Sequence, residues 1–408
     1  MHTRRFSVPH LSAYAILGAT LLLMSTHAAG QTTLFSFDGP DGSTPYAGLV
    51  FDSSGNLFGT ASTGGAVKMG VLYELVPQGG GGWTEEVHHY FGKVSGDGTT
   101  PYGTLLIDAS NNLYGTTYSG GAYGGGTVFE VTPGAGPNWP ETILYNFGNG
   151  TDGANPHGAL IFDALGNLYG TTSTGGANGA GTVFELTPIG GGAWSEAILY
   201  SFIGGTGGSD PNGSVIFDSS GNIYGTTVSG GSYGGGAAFE LIKSEGYRFK
   251  ILHNFGGFSD GANPHGGLVL DAFGNLYGTT TNGGGHNNPV HFGGGIVFEL
   301  SPGGGEAWNE TVLYEFCNHS ICTDINPYDT PLMDASGNLY GTNFGRSGYS
   351  TVWELTPTAT PPWTETLLVT FSYNRAYAGL IFDASGNLYG TTSTGGGNGF
   401  GIVFEITH

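Results

Sequence analysis

The sequence predicts an all-β fold, a seven-bladed β-propeller with four antiparallel strands per blade. Three observations predict it. The first is a ten-residue motif, D-x-x-G-N-L-Y-G-T-T, with copies that begin at Asp52, Asp108, Asp163, Asp218, Asp271, Asp334 and Asp383, spaced by 56, 55, 55, 53, 63 and 49 residues. Self-similarity at such a period marks a repeat architecture. The second is the content of one unit. Residues 159–162, 167–173, 182–186 and 196–202 are four strand-length runs rich in Val, Ile, Leu, Phe, Tyr and Thr, and the mature chain shows no apolar period of 3.6. The third is a phase shift at the ends. The last unit stops after its third run, GIVFEITH, while TTLFSF at 32–37 reads as a fourth run with no unit of its own. An N-terminal strand that completes the last blade closes the ring and removes an exposed edge.

Each connection within the unit has its own chemistry. Asp-x-x-Gly-Asn joins the first two strands as a tight hairpin, because Gly and Asn accept positive φ at low cost. A glycine loop, 175–181, joins the second and third strands. A Pro/Gly turn, 187–194, joins the third and fourth. The connector GNGTDGANPHG, 148–158, leads to the next unit. The five tryptophans Trp83, Trp139, Trp194, Trp308 and Trp363 open the outer strands at equivalent places and read as blade core.

Residues 1–30 read as a signal peptide. Arg4 and Arg5 precede an apolar stretch at 11–24, and small residues follow around Ala28. The apolar stretch is short for a membrane span. The expectation is an exported bacterial protein, secreted or periplasmic, with no membrane insertion after cleavage and no C-terminal anchor. Residues 31–408 then form one propeller domain, expected as a monomer.

The 80 glycines fall at fixed repeat positions among 25 Phe and 22 Tyr, so the chain has the means to bury a core. The net charge of −22 makes nucleic acid and anionic membranes poor partners. Part of that charge belongs to the repeat. Seven Asp open the hairpins, and Glu74, Glu130, Glu185, Glu240, Glu299, Glu354 and Glu405 end the third-strand motif. Their presence in every blade points to structural roles, Asp accepting turn N–H bonds and Glu pairing with neighbouring donors.

The combined motif D-x-x-G-N-L-Y-G-T-T, then G-G, then G-T-V-F-E-L-T-P, clearest at 163–188 and 383–407, resembles the Gloeo/Verruco tandem-repeat family of exported bacterial proteins. The resemblance spans all seven units and implies export without implying an activity. The pattern P-x-G-x-[LIV]-x-x-D-x-x-G-N-[LI]-Y also resembles NHL-type and streptogramin-lyase-type propellers, a fold shared by many functions.

Candidate sites follow from strand alternation. Connections into the first strand and between the second and third emerge on one face, and the first strand lines the channel. Six residues before each repeat Asp stand Tyr46, Tyr102, His157, Asn212, His265, Tyr328 and Tyr377, a variable aromatic and polar ring expected at the channel mouth. Such side chains suit a glycan or another small polar ligand; the alternative is that they plug the channel. The fifth unit carries an expanded loop with His286 and His291, which with His265 makes a weak zinc-like set. Cys317 and Cys322, the only cysteines, are expected to form one disulfide. Asp-Gly steps at Asp41, Asp97, Asp152 and Asp260 admit calcium, yet turn formation accounts for them and no cofactor is required. No nucleophile elbow or phosphate loop is present. The favoured function is a binding module for carbohydrate, a small molecule or a surface protein. The alternatives are a structural surface scaffold, or a lyase or hydrolase with His157 and His265 as bases.

Overall fold

The computed structural model describes residues 30–256, 260–285, 293–317, 325–345 and 348–407. The expected signal peptide, Gly30 apart, lies outside the described residues. Seven sheets, one per repeat, each present four antiparallel strands. In the third blade these are Ile161–Phe162, Leu168–Gly175, Thr182–Gly190 and Ala193–Ser201. No α-helix occurs among the described residues, and none is long and apolar enough to cross a membrane.

The seventh blade closes as the sequence predicts. Its inner strands are Ile381–Phe382, Leu388–Thr392 and Ile402–Thr407, and its outer strand is the N-terminal Gly30–Ser36. Gly30 pairs with Thr407 and Ser36 with Ile402, with a register shift between Thr33 and Phe35. The same kind of shift separates the third and fourth strands elsewhere, at Val128/Phe129 and Val183/Phe184 for instance. The N-terminal strand therefore takes the fourth-strand role in detail.

Blade-to-blade packing is aromatic. A buried Phe at the end of each outer strand meets a third-strand ring of the next blade: Phe91 with Phe129, Phe147 with Phe184 and Phe202 with Phe239, at centroid distances of 5.1, 5.0 and 5.2 Å. The closing pair is Phe37 with Tyr73, also 5.1 Å. Trp308 and Trp363 pack on Tyr224 and Tyr277 of the preceding blade, so these tryptophans join blades as well as fill them.

The repeated acids hold each blade together. Asp163 accepts the N–H groups of Leu165 and Asn167 and the Asn167 side-chain amide. Tyr169 then donates to both Asp163 and Glu185. Blade one replaces this Tyr with Phe58. There Glu74 takes His88 instead, at 2.6 Å, and the buried His88 ring stacks 3.7 Å from Trp139.

The innermost strands are shorter than the sequence suggests, two residues in each blade. Seven innermost strands converge there, and the residue after the mouth position faces the backbone of the next blade. A Cβ on Gly158 would meet the Asn212 carbonyl oxygen at 2.9 Å, and one on Gly213 would meet Gly266 at 2.6 Å. Glycine at this place permits the approach.

Candidate functional site

The mouth residues are set by their connectors. A residue in the left-handed region precedes proline in six blades: Thr44, Thr100, Asn155, Asp210, Asn263 and Asn326, with φ between 59° and 62°. Its carbonyl accepts an N–H from the end of the second strand, Ser62 to Thr44 or Val228 to Asp210 for example. The connector is thereby pinned to its blade. A second tie runs between blades. The first Thr of each G-T-T step reaches the mouth carbonyl of the next blade, as Thr171 does to Gly213, Thr226 to Gly266 and Thr391 to Ala47. The motif that builds the blade also fixes the rim.

All seven predicted mouth residues are half-buried, and all seven line one cavity of about 590 Å³. Six of them form an unbroken chain of rings. His265 stacks on Tyr328 at 4.4 Å; Tyr328 meets Tyr377 at 5.2 Å; Tyr377 meets Tyr46 at 5.2 Å; Tyr46 meets Tyr102 at 5.4 Å; and Tyr102 stacks on His157 at 4.9 Å. Asn212 stands in the gap between the two histidines. Tyr118 and Phe344 extend the aromatic wall.

The profile of the Gloeobacter/Verrucomicrobia repeat matches residues 18–202 and 137–344, most of the chain. The chain belongs to the Gloeobacter/Verrucomicrobia repeat family. No curated protein matches it. Among solved structures, an ulvan lyase of a new polysaccharide lyase family aligns with a TM-score of 0.58 at 12% identity, over 92% of this chain and 95% of that one. The same lyase bound to -[GlcA(1-4)Rha3S]- aligns at 0.56 and 12% identity, with the same coverage. A putative oxidoreductase (glucose dehydrogenase) from Thermus thermophilus aligns at 0.44 and 15% identity, over 78% of this chain and 98% of that one. At these identities the likeness is one of fold.

In this Gloeobacter/Verrucomicrobia repeat protein the cavity is polar beneath its aromatic rim. Burial lowers His157 to about 4, against a hydrogen bond to the Asn212 backbone that favours the charged form. Burial, with a smaller contribution from His157, lowers His265 to about 4 as well. Both imidazoles are neutral at pH 7, and the buried Nδ1 of His265 has no hydrogen-bond partner among the described residues. Burial raises Asp210 and Asp329. Among the described residues no Lys or Arg lines the cavity itself, while the charge of Arg375 acts on Tyr46 at the rim.

Asp329 escaped the sequence reading. It occupies the place that is Gly158 in blade three, and its carboxylate accepts the N–H of Thr330 at 2.6 Å and that of Gly379 on the next blade. The signal was the one acid among small residues at that repeat position.

The remaining expectations divide. His265 belongs to the mouth, while His286 and His291, the other two members of the zinc-like set, lie outside the described residues. Cys317 is disulfide-bonded; Cys322, its expected partner, lies outside the described residues. The Asp-Gly acids make turn bonds. Asp41 accepts the Asp38 N–H, Asp97 that of Lys93, Asp152 that of Gly148, and Asp260 those of Gly256 and Gly261.

Proposed function

We propose that the channel mouth is a carbohydrate-binding site, and that it favours neutral sugars over anionic ones. The observation that carries the reading is the chain of six rings around one cavity. Sugar rings present C–H faces that pack on tyrosine, while their hydroxyls need donors and acceptors at the edge. Asn212, Asp210, Asp329 and the neutral histidines supply both around the same space. The solved propeller of similar fold is a polysaccharide lyase with a bound uronate–sulfated rhamnose. From it we take the ligand class and leave the charge behind, because Asp210 and Asp329 in the lining, on a chain of net charge −22, disfavour a uronate or a sulfate. Export fits this role. The N-terminal segment, the family and the disulfide at Cys317 all suit a secreted or periplasmic protein.

Elimination or hydrolysis at His157 or His265 is the second reading, favoured by the unpartnered Nδ1 of His265. A base near 4 is a poor match to neutral pH, where general-base catalysis works best with a group near 7. The balance therefore favours binding over turnover.

Calorimetric titration with a panel of neutral and acidic oligosaccharides tests the proposal. Saturable binding of a neutral member is expected, weakened at least about tenfold in Tyr46→Ala/Tyr377→Ala, the scale of one lost stacking contact or more. Binding unaffected by the pair, or seen with acidic members alone, would refute it.

A further inference from the structure

We propose that two seams between neighbouring blades each bind a divalent transition cation of the zinc type, through His89, Asp97 and Glu141 between blades one and two, and through His253, Asp260 and Glu310 between blades four and five. Neither set touches the mouth. Each uses the same three repeat positions: the penultimate position of one outer strand, the acid of the Asp-Gly connector, and the acid of the next blade's outer strand that pairs with Val131 or Leu300.

Geometry separates these sets from ordinary ion pairs. His89 Nε2 stands 3.7 Å from Asp97 Oδ2 and 3.5 Å from Glu141 Oε2. His253 Nε2 stands 3.4 Å from Asp260 and 3.8 Å from Glu310. These distances are long for charge-assisted hydrogen bonds. Zinc bonds of about 2.0–2.1 Å, arranged tetrahedrally, put ligand atoms roughly 3.4 Å apart. In each set the three ligand atoms lie within 4.8 Å of one another.

Unmet polar atoms point the same way. The Asp97 side chain is 0% exposed and that of Glu141 is 8% exposed. Asp97 Oδ1, Glu141 Oε1 and His89 Nε2 have no hydrogen-bond partner among the described residues, and neither has Glu310 Oε1. Such orphans are costly inside a protein. A cation satisfies all three atoms of the first seam; a proton shared between Asp97 and Glu141 satisfies their two oxygens and leaves His89 Nε2 unmet. The histidines are held ready, His89 against Phe91 at 4.8 Å and His253 against Phe255 at 4.7 Å. The half-buried imidazoles leave a path from solvent.

Other blades show the alternative. Between blades two and three the His position is Tyr145, which donates to Asp152 at 3.1 Å and so takes up the carboxylate itself. Between blades three and four the acids are absent, and Tyr200 stacks on Phe249 at 4.3 Å. The cluster of Glu74, Glu86 and His88 is different again, because His88 and Glu74 are already hydrogen-bonded at 2.6 Å. An imidazole nitrogen beside two carboxylates selects zinc or a like ion over calcium, which prefers six or more oxygens.

The test uses the exported chain purified without metal-chelating resin, equilibrated with zinc chloride, freed of loose metal by gel filtration and analysed for zinc. Two ions per chain are expected, one each in His89→Tyr and His253→Tyr, and none in the double variant. Tyrosine is the natural residue of other seams, so these variants keep the fold, which circular dichroism checks. Zinc should raise the melting temperature of the wild type and leave the double variant unmoved. Absence of stoichiometric zinc in the wild type, zinc retained in the double variant, or calcium bound in its place would overturn the proposal. One ion, lost with His89→Tyr alone, would uphold the first seam and overturn the second.

Discussion

Deletion of residues 30–37 should convert the cooperatively folded propeller into an aggregating one. The deletion strips the outer strand from blade seven, along the whole pairing from Gly30–Thr407 to Ser36–Ile402. The strand Ile402–Thr407 then becomes an open edge rich in Ile, Val and Phe, a template for pairing between molecules. Phe37 goes as well. It is fully buried and packs on Tyr73 of blade one, and removal of a buried Phe side chain alone costs about 3–5 kcal/mol. The closure is thus both hydrogen-bonded and aromatic, and the loss falls on the one seam that joins the chain ends. Sedimentation velocity and thermal melting of the truncated chain measure the effect, and a synthetic peptide of the deleted sequence should restore part of the lost stability. A monomeric truncation that melts like the full chain would contradict ring closure.

Acid should weaken the fold through two mouth histidines. His157 and His265 bind their protons near pH 4 in the folded chain, against about 6.5 when unfolded. Between those values the unfolded chain holds more protons than the folded one. Stability is therefore full above about pH 6.5, declines as pH falls, and is lost through pH 4. A depression of this size is worth up to about 3 kcal/mol for each histidine. Urea unfolding at pH 7 and pH 4.5 reads the loss, and His157→Asn/His265→Asn separates it from the titration of the many acids. Asparagine is the natural mouth residue at position 212. The wild type should lose at least about 2 kcal/mol more than the variant over this interval. Equal losses would show that the imidazoles are not held neutral by burial.

The fold was legible because the repeat states it seven times. Period, strand length and turn chemistry agree in every unit, and the displaced fourth strand at the N-terminus could be read as closure. The mouth ring was legible for a similar reason: its position is constant while its side chains vary, and a variable residue in an invariant frame stands out. What stayed hidden depends on contacts between repeats. Asp329 matters because it reaches the N–H of Gly379 in the next blade. The sets around His89 and His253 each draw on two blades and a connector, residues about 50 apart in sequence. His88 was hidden because it compensates for Phe58, thirty residues earlier, and no local pattern joins the two. The expected length of the inner strands was wrong in the same way, since crowding at the axis, rather than apolar pattern, decides where their ladders end.

The position of a bound sugar tests the central claim most directly. A crystal structure of the chain soaked with the tightest neutral oligosaccharide from the titration panel would show it. The account predicts a sugar ring packed on the tyrosine arc between Tyr328 and Tyr102, with hydroxyls reaching Asn212, Asp210 or Asp329. A sugar seated on the outer strands or on the opposite face, with the mouth empty, would contradict it.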